Sequence, residues 1–291
     1  MPSNSECFKK VMMAVDFSEC SLSMLNHLDE LEKAGTEEIV FIRVINLTKF
    51  TGAVAGFDID AWVEIQEEEA MKKLEELVKK VEKFGLKAKF VHPIPVGDPV
   101  GEIVEAAKKE GASSIMLASR GKSRIKEILL GSVSEGVIRK ADRPVLLLKS
   151  GKGCYSGKMF KKILYAHDLS EHSADVVHCV KEAALAGGRD VVILHVEEKD
   201  ERGDKRLLKE AEEELKKAGI NVKVLLREGI PHKVILRTAE EEGATMIAMA
   251  SRGLGFIEGM ILGSTTDVVT RRSKVPVLVH RHPRHPESNQ N

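Results

Sequence analysis

The chain uses one unit twice. Residues 11–21, VMMAVDFSECS, align with residues 163–173, ILYAHDLSEHS, at an offset of 152 positions. Downstream, GDPVGEIVEAAKKEGASSIMLASRG (97–121) aligns with GIPHKVILRTAEEEGATMIAMASRG (229–253) at an offset of 132, and Gly131 with Gly263 and Pro144 with Pro276 keep that spacing. Half one therefore carries 20 extra residues between Asn46 and Gly97, where a stretch beginning LTKFTGAVAGFDIDAW stands in place of the short EEKDERGDK. The segment SGKGCYSGK (150–158) is rich in Gly and Ser and lacks apolar periodicity, so it reads as the connection. The expected organisation is a first domain over 1–150, a linker over 151–160 and a second domain over 161–291, in keeping with ordinary domain sizes.

Within each half, short β-branched apolar runs alternate with helical patterns. The runs are VMMAV, IVFIRVI, LKAKFVH, SIMLAS and PVLLLK in half one, and ILYAH, VVILHV, NVKVLL, MIAMAS and PVLVH in half two. Continuous apolar runs of this length suit strands buried on both faces. Between them, Leu74, Leu77, Val78, Val81 and Phe84 follow helical spacing, with Glu68/Lys72, Glu69/Lys73, Glu75/Lys79 and Glu76/Lys80 as i,i+4 pairs on a solvated face. Strand and helix in strict alternation imply right-handed crossovers and an α/β fold, a parallel sheet with helices on both faces. Such sheets bind ligands beyond their strand C-termini, where the strand order reverses.

Composition narrows the function. Lys plus Arg number 45 and Asp plus Glu 45, so no net positive field draws the protein onto nucleic acid. No apolar run approaches the roughly 18 residues of a membrane-spanning helix, and MPSNSECFKK lacks a signal-peptide pattern, so a soluble cytoplasmic protein is expected. Cys7, Cys20, Cys154 and Cys179 show no C-x-x-C spacing. Glutamine occurs only at Gln66 and Gln290 while Lys and Glu abound, a bias reported for hyperthermophiles, in which intracellular disulfides also occur.

The residues just past the runs hold the candidate chemistry. Asp16 and Asp168 follow the first strand of each half and could accept from a ribose hydroxyl or simply favour a helix start; Ser18 and Ser170 read as N-caps. After the fourth run come ASRGKSRIKEILLGSVSE (118–135) and ASRGLGFIEGMILGSTTD (250–267), sharing Ala-Ser-Arg-Gly, nine residues, and Gly-Ser. Gly121 and Gly253 let backbone N–H groups approach an anion, and Ser132 and Ser264 open a helix whose positive end would face the crevice. Ser132 with Glu135 and Ser264 with Asp267 also resemble capping boxes, which need no ligand. Gly121-Lys122-Ser123 is not the end of a P-loop, since position 116 is Met and half two has Leu254 in place of the lysine. Nor is Gly253-Leu254-Gly255 a dinucleotide fingerprint, because position 258 is Glu and the segment follows a fourth strand.

The A-V-D-x-S and A-H-D-x-S starts, the S-R-G-x9-G-S segments, and the closing RPVLLL and VPVLVH strands together resemble the universal stress protein family, twice over nearly the whole chain. The resemblance implies two tandem Rossmann-like domains of the adenine nucleotide alpha hydrolase-like type, each a five-stranded parallel sheet with helices on both faces. It also implies ATP or AMP as ligand, with magnesium accompanying ATP. By position, Asp16 and Asp168 would contact the adenosine and Val44 and Val196 would line the adenine pocket. Gly121, Gly131, Ser132 and Val133 would hold phosphates in half one, and Gly253, Gly263, Ser264 and Thr265 in half two. The closing strands resemble edges through which family members pair, so the halves are expected to form a pseudo-dimer and chains to pair again as a homodimer.

One departure stands out. The first glycine of the family's G-x2-G-x9-G-[ST] pattern is Ala118 in one half and Ala250 in the other, followed by Arg120 and Arg252. Were positive φ needed there, alanine would cost about 1–2 kcal/mol; in ordinary strand backbone only the methyl would matter. The arginines could pair with a phosphate or lie in solvent.

Beyond the two aspartates, no His, Cys or acid recurs near the phosphate segments in a position to activate a nucleophile, and no metal-ligand spacing recurs. His195 replaces Arg43 and reads as structural; His280, His282 and His285 could capture a metal but read first as a solvated tail; Trp62 and Phe57 could lid a pocket or cover a subunit contact, burial being the blander reading. The sequence thus favours a nucleotide-binding regulatory protein with at most slow ATP hydrolysis. The alternatives are an interaction module whose glycines are structural, and an adenylate-forming or phosphate-cleaving enzyme.

Overall fold

A computed structural model describes residues 6–47, 58–119, 130–149, 154–197, 203–251 and 262–281. Every apolar run of the sequence contains a strand. In half one the order is β1 (Lys10–Ala14), α1 (Glu19–Leu22), α2 (Leu28–Lys33), β2 (Glu38–Ile42), α3 (Ile59–Lys83), β3 (Lys87–Phe90), α4 (Pro99–Lys109), β4 (Ser114–Ala118), α5 (Ser132–Lys140) and β5 (Val145–Leu148). Half two repeats it with β6 (Ile163–Ala166), α6 (Glu171–Ala174), α7 (Val177–Ala186), β7 (Asp190–Glu197), α8 (Lys205–Lys217), β8 (Asn221–Glu228), α9 (Pro231–Glu241), β9 (Met246–Ala250), α10 (Ser264–Arg272) and β10 (Val277–His280). Part of the insertion of half one is now visible as helix: α3 has 25 residues where α8 has 13.

These ten strands join one sheet in the order β8-β7-β6-β9-β10-β5-β4-β1-β2-β3, and two short segments, Ile45–Asn46 and Val96–Gly97, pair apart from it. Each half contributes five parallel strands, and the halves meet where β5 and β10 run antiparallel, with Val145 opposite Val279, Leu146 opposite Leu278 and Leu147 opposite Val277. Strands of this composition, buried on both faces, need helices above and below. One face packs α2, α3, α7 and α8 against Met13, Phe41, Tyr165 and Ile193; the other packs α4, α5, α9 and α10 against Met12, Val40, Leu164 and Val192. Both apolar layers continue through the junction, so the halves share their core. Because β5 and β10 have neighbours on both sides, the closing strands are already consumed inside the chain. Pairing of one chain with another would need a different surface.

The junction obeys an approximate two-fold symmetry in which each half satisfies the other's backbone. Buried Glu30 on α2 accepts from the amides of Met159 (3.0 Å) and Phe160 (2.8 Å), and its repeat mate Glu182 on α7 accepts from those of Cys7 (2.9 Å) and Phe8 (3.3 Å). Phe8 and Phe160 meet between them, ring centroids 5.5 Å apart. On the opposite face, Lys149 donates to Thr270 O (2.6 Å) at the end of α10, while its mate Arg281 donates to Ala141 O (2.8 Å) at the end of α5, each cation closing a helix C-terminus of the other half. Two disulfides, Cys7–Cys179 and Cys20–Cys154, tie half one to half two and to the linker.

Three expectations change. Phe84 is the C-cap of α3 and is exposed, because the helix ends just where the apolar stripe would continue. Of the four proposed i,i+4 pairs on α3, only Glu69–Lys73 comes within ion-pair distance, at 4.0 Å, as expected of long side chains free in water. His280 belongs to β10 rather than to a tail, its carbonyl accepting from Ser251 N at 2.9 Å; His282 and His285 lie outside the described residues. Trp62 is partly buried against the core, and Phe57 lies outside the described residues. No helix among the described residues is long and apolar enough to cross a membrane.

Candidate functional site

The order within each half, 3-2-1-4-5 by position in the repeat, reverses at its first strand, so the crevice between the first and fourth strands opens at their C-terminal ends. Ala14 lies beside Ile42 on one side and Leu117 on the other, which brings the C-terminal ends of β1, β2 and β4 together, with Asp16, Val44 and Ala118 at or just past them. In half two the same neighbours are Asp168, Val196 and Ala250.

Asp16 begins a tight local hook. Its Oδ1 accepts from Ser18 N (3.0 Å) and Ser18 Oγ (2.5 Å), and Ser18 Oγ in turn accepts from Ser21 N (3.2 Å) as the N-cap of α1. Asp168 holds Ser170 identically, at 3.2 and 2.6 Å, and Ser170 caps α6. The turn needed to aim these aspartates puts Phe17 and Leu169 at φ of 59° and 64°, a left-handed conformation bulky residues rarely adopt. Both repeats keep the same costly backbone beside the same carboxylate, as functional rims often do.

Across the crevice, Ala118 and Ala250 end β4 and β9 in extended backbone, so no left-handed penalty attaches to the missing glycines. Only their methyls distinguish them from the family pattern. The segments that follow start and finish at fixed points: Gly131 N donates to Ser119 O (2.8 Å) and Gly263 N to Ser251 O (2.9 Å). Arg120, Gly121, Arg252 and Gly253 fall outside the described residues.

The capping-box reading of Ser132 and Ser264 is wrong. Gly131 and Gly263 are the N-caps of α5 and α10, with φ near −65° and −67°, and neither helix has a side-chain cap. Ser132 and Ser264 are first helical residues and exposed; Val133 and Thr265 follow, partly exposed. Ser134 and Thr266 instead turn inward, donating to Ala118 O (2.8 Å) and Ala250 O (3.0 Å) and fastening each helix start to the strand end. Glu135 and Asp267, the supposed box acids, bridge the halves: Arg139 reaches Asp267 (2.8 Å) and Glu135 (3.2 Å), and Arg271 reaches Glu135 (2.6 Å) and Asp267 (3.0 Å). The exposed start of each helix therefore presents first-turn N–H groups and a positive dipole end, while its first-turn acid, Glu135 or Asp267, is engaged by the arginines across the junction.

The halves differ in what backs the aspartates. In half one, Arg43 lies 5.6 Å over the Phe17 ring and Lys73 5.3 Å from it. Burial draws the Arg43 guanidinium down from its ordinary value, and the Asp16 carboxylate works against that shift. In half two, His167 and His195 replace Val15 and Arg43. His195 Nδ1 meets His167 O at 2.9 Å, a structural contact as expected. His167 Nδ1 accepts from Leu169 N (3.0 Å) while its buried Nε2 has no partner among the described residues, and burial pushes its pKa down to about 4. Sequence reasoning missed Phe17, Lys73 and His167, although pairing His167 with Val15 across the repeat carried the signal. Among the described residues no group of three or more His, Cys, Asp or Glu is placed to hold a metal ion.

The universal stress protein family model matches residues 8–149 and again 159–281. A universal stress protein of Methanocaldococcus jannaschii is 36% identical over 159 residues, 50% of this chain and 97% of the relative. One of Bacillus subtilis is 32% identical over 149 residues, 49% of this chain and 99% of the relative, as a protein holding a single copy of the unit would be. The crystal structure of a universal stress protein from Archaeoglobus fulgidus superposes with a TM-score of 0.77 at 40% identity, covering 97% of this chain and 99% of that one.

Proposed function

This chain belongs to the universal stress protein family, and from that premise we propose that it is a stress-associated regulatory protein binding an adenine nucleotide, ATP or AMP, at the crevice of each half. The observation that carries the reading is the pair of helix starts, α5 and α10, opened by glycine and left without side-chain caps at the point where the strand order reverses. Exposed N–H groups at a helix start favour phosphate. The amides and hydroxyls at Ser132–Val133 and Ser264–Thr265 would hold the phosphates, Asp16 and Asp168 would accept from the ribose hydroxyls, and Val44 and Val196 would flank the base. By position in the family pattern, Gly121 and Gly253 would also hold phosphates, with Arg120 and Arg252 either pairing with them or lying in solvent. Magnesium, where ATP is the ligand, would arrive on the phosphates. The protein's part is to bind and orient, with ATP hydrolysis slow at most. Pairing between chains belongs to the same reading, on a surface other than the closing strands.

Thermal unfolding with ATP, AMP and GTP tests this. A ligand at 100 times its dissociation constant should stabilise the chain by about 2.7 kcal/mol. Calorimetry should find two nucleotides per chain, with Gly121→Val and Gly253→Val each removing one. The absence of a shift with any adenine nucleotide would turn the reading toward a nucleotide-independent interaction module.

A further inference from the structure

The two disulfides differ in exposure and in what they fasten. Cys7 is 6% exposed and Cys179 fully buried, under the carboxylate of Glu182 and beside the Phe8–Phe160 contact. Cys20 and Cys154 are both partly exposed. Cys20 is the second residue of α1, whose N-cap Ser18 is bonded to Asp16; Asp16 N also donates to Ser21 Oγ, at 3.3 Å. The Asp16 hook and α1 are thus one hydrogen-bonded unit. Cys154 fastens that unit to the linker, and the next residue, Tyr155, stacks on His27 (5.9 Å) and donates to Thr245 O of half two at 3.2 Å. Half two has no such staple, because the repeat mate of Cys20 is His172.

We propose that Cys20–Cys154 is a reversible thiol–disulfide site, opened in the native fold by a dithiol reductant, while Cys7–Cys179 stays closed and keeps the halves joined. A thiolate of the dithiol attacks one exposed sulfur and expels the other as a thiolate. The second thiol of the reductant then resolves the mixed disulfide, leaving two protein thiols and an oxidised, disulfide-bonded reductant. Two electrons and two protons pass to the protein. Opening frees α1 from the linker and loosens the rim that aims Asp16, so only the crevice of half one responds to redox state. This last consequence rests on the nucleotide reading above; the selective reduction does not.

The test is reduction of the native, full-length protein with excess dithiothreitol, trapping with iodoacetamide, and peptide mapping. Cys20 and Cys154 should be alkylated about tenfold or more ahead of Cys7 and Cys179, which should require denaturant. Four cysteines reacting together, Cys7 and Cys179 reacting first, no reaction without denaturant, or four free thiols before reduction would each overturn the proposal. For the coupling, ATP titrations of oxidised protein, reduced protein and a Cys20→Ser/Cys154→Ser variant should show one of two sites weakened several-fold in the last two. Equal affinities in all three would overturn the coupling. No ATP binding in any form would overturn the nucleotide reading and leave the thiol result standing.

Discussion

His167 shows how one side chain can set the acid behaviour of a domain. A buried imidazole whose Nδ1 accepts a backbone N–H must carry its proton on Nε2, where no partner waits among the described residues, and a second proton would be a buried charge. Asp168 favours the cation, while burial and His195 oppose it more strongly, which leaves a pKa of about 4. Since the unfolded chain takes up that proton near pH 6.5, stability is present above that pH and is lost as the pH falls from about 6.5 toward 4. Denaturant melts across this range should show the loss, and His167→Val, which installs the residue of half one, should flatten it. An unchanged slope in the variant would assign acid lability elsewhere. At the junction the sign is opposite: burial lifts Glu182 up to about 7 against the pull of two amides, whereas burial of Glu30 is outweighed by His27 and its two amides and Glu30 lies below the ordinary value. Two repeat mates with the same backbone duty thus differ: burial, with Glu6 nearby, lifts Glu182, while His27 beside Glu30 helps outweigh burial there. The motif residues Asp16, Asp168, Gly131 and Gly263 were legible because spacing alone marks them. The Ala118 and Ala250 question was not, since its answer is a backbone angle.

At the scale of elements, the repeat uses equivalent positions for unlike reasons. Gly35 after α2 has φ of 92° with open space around it, so its backbone conformation requires glycine. Its mate Gly187 after α7 has no such φ; a Cβ there would sit 2.0 Å from the carbonyl oxygen of Phe160, against which the chain is pressed. Gly187→Ala should therefore destabilise the protein by about 1–3 kcal/mol in urea melts, through displaced backbone rather than lost conformational freedom. A variant as stable as the wild type would show that the contact yields cheaply. The helices α5 and α10 teach the complementary lesson. Their Ser and acid spacing reads as a local cap, but the acids are drawn away into a four-residue ion network that exists only because the halves face each other. A local motif loses to a tertiary partner when that partner offers two charged hydrogen bonds in a half-buried setting.

One ten-stranded sheet and two apolar layers run through both halves, so the halves should unfold together. Trp62, the only tryptophan, reports on half one, while far-UV circular dichroism reports on both. In the oxidised protein, urea transitions by the two probes should coincide. A Trp62 transition at lower urea would show the halves acting as separate cooperative units. The repeat, the five strands of each half and their parallel direction followed from the sequence, because periodicity and spacing are properties of the chain itself. What joined the halves came only from tertiary structure: the register of β5 on β10, the crossed carboxylates and cations, and the pairing of four scattered cysteines. Those contacts link residues more than a hundred positions apart, and a one-dimensional pattern carries no signal of which distant groups meet when two buried surfaces close.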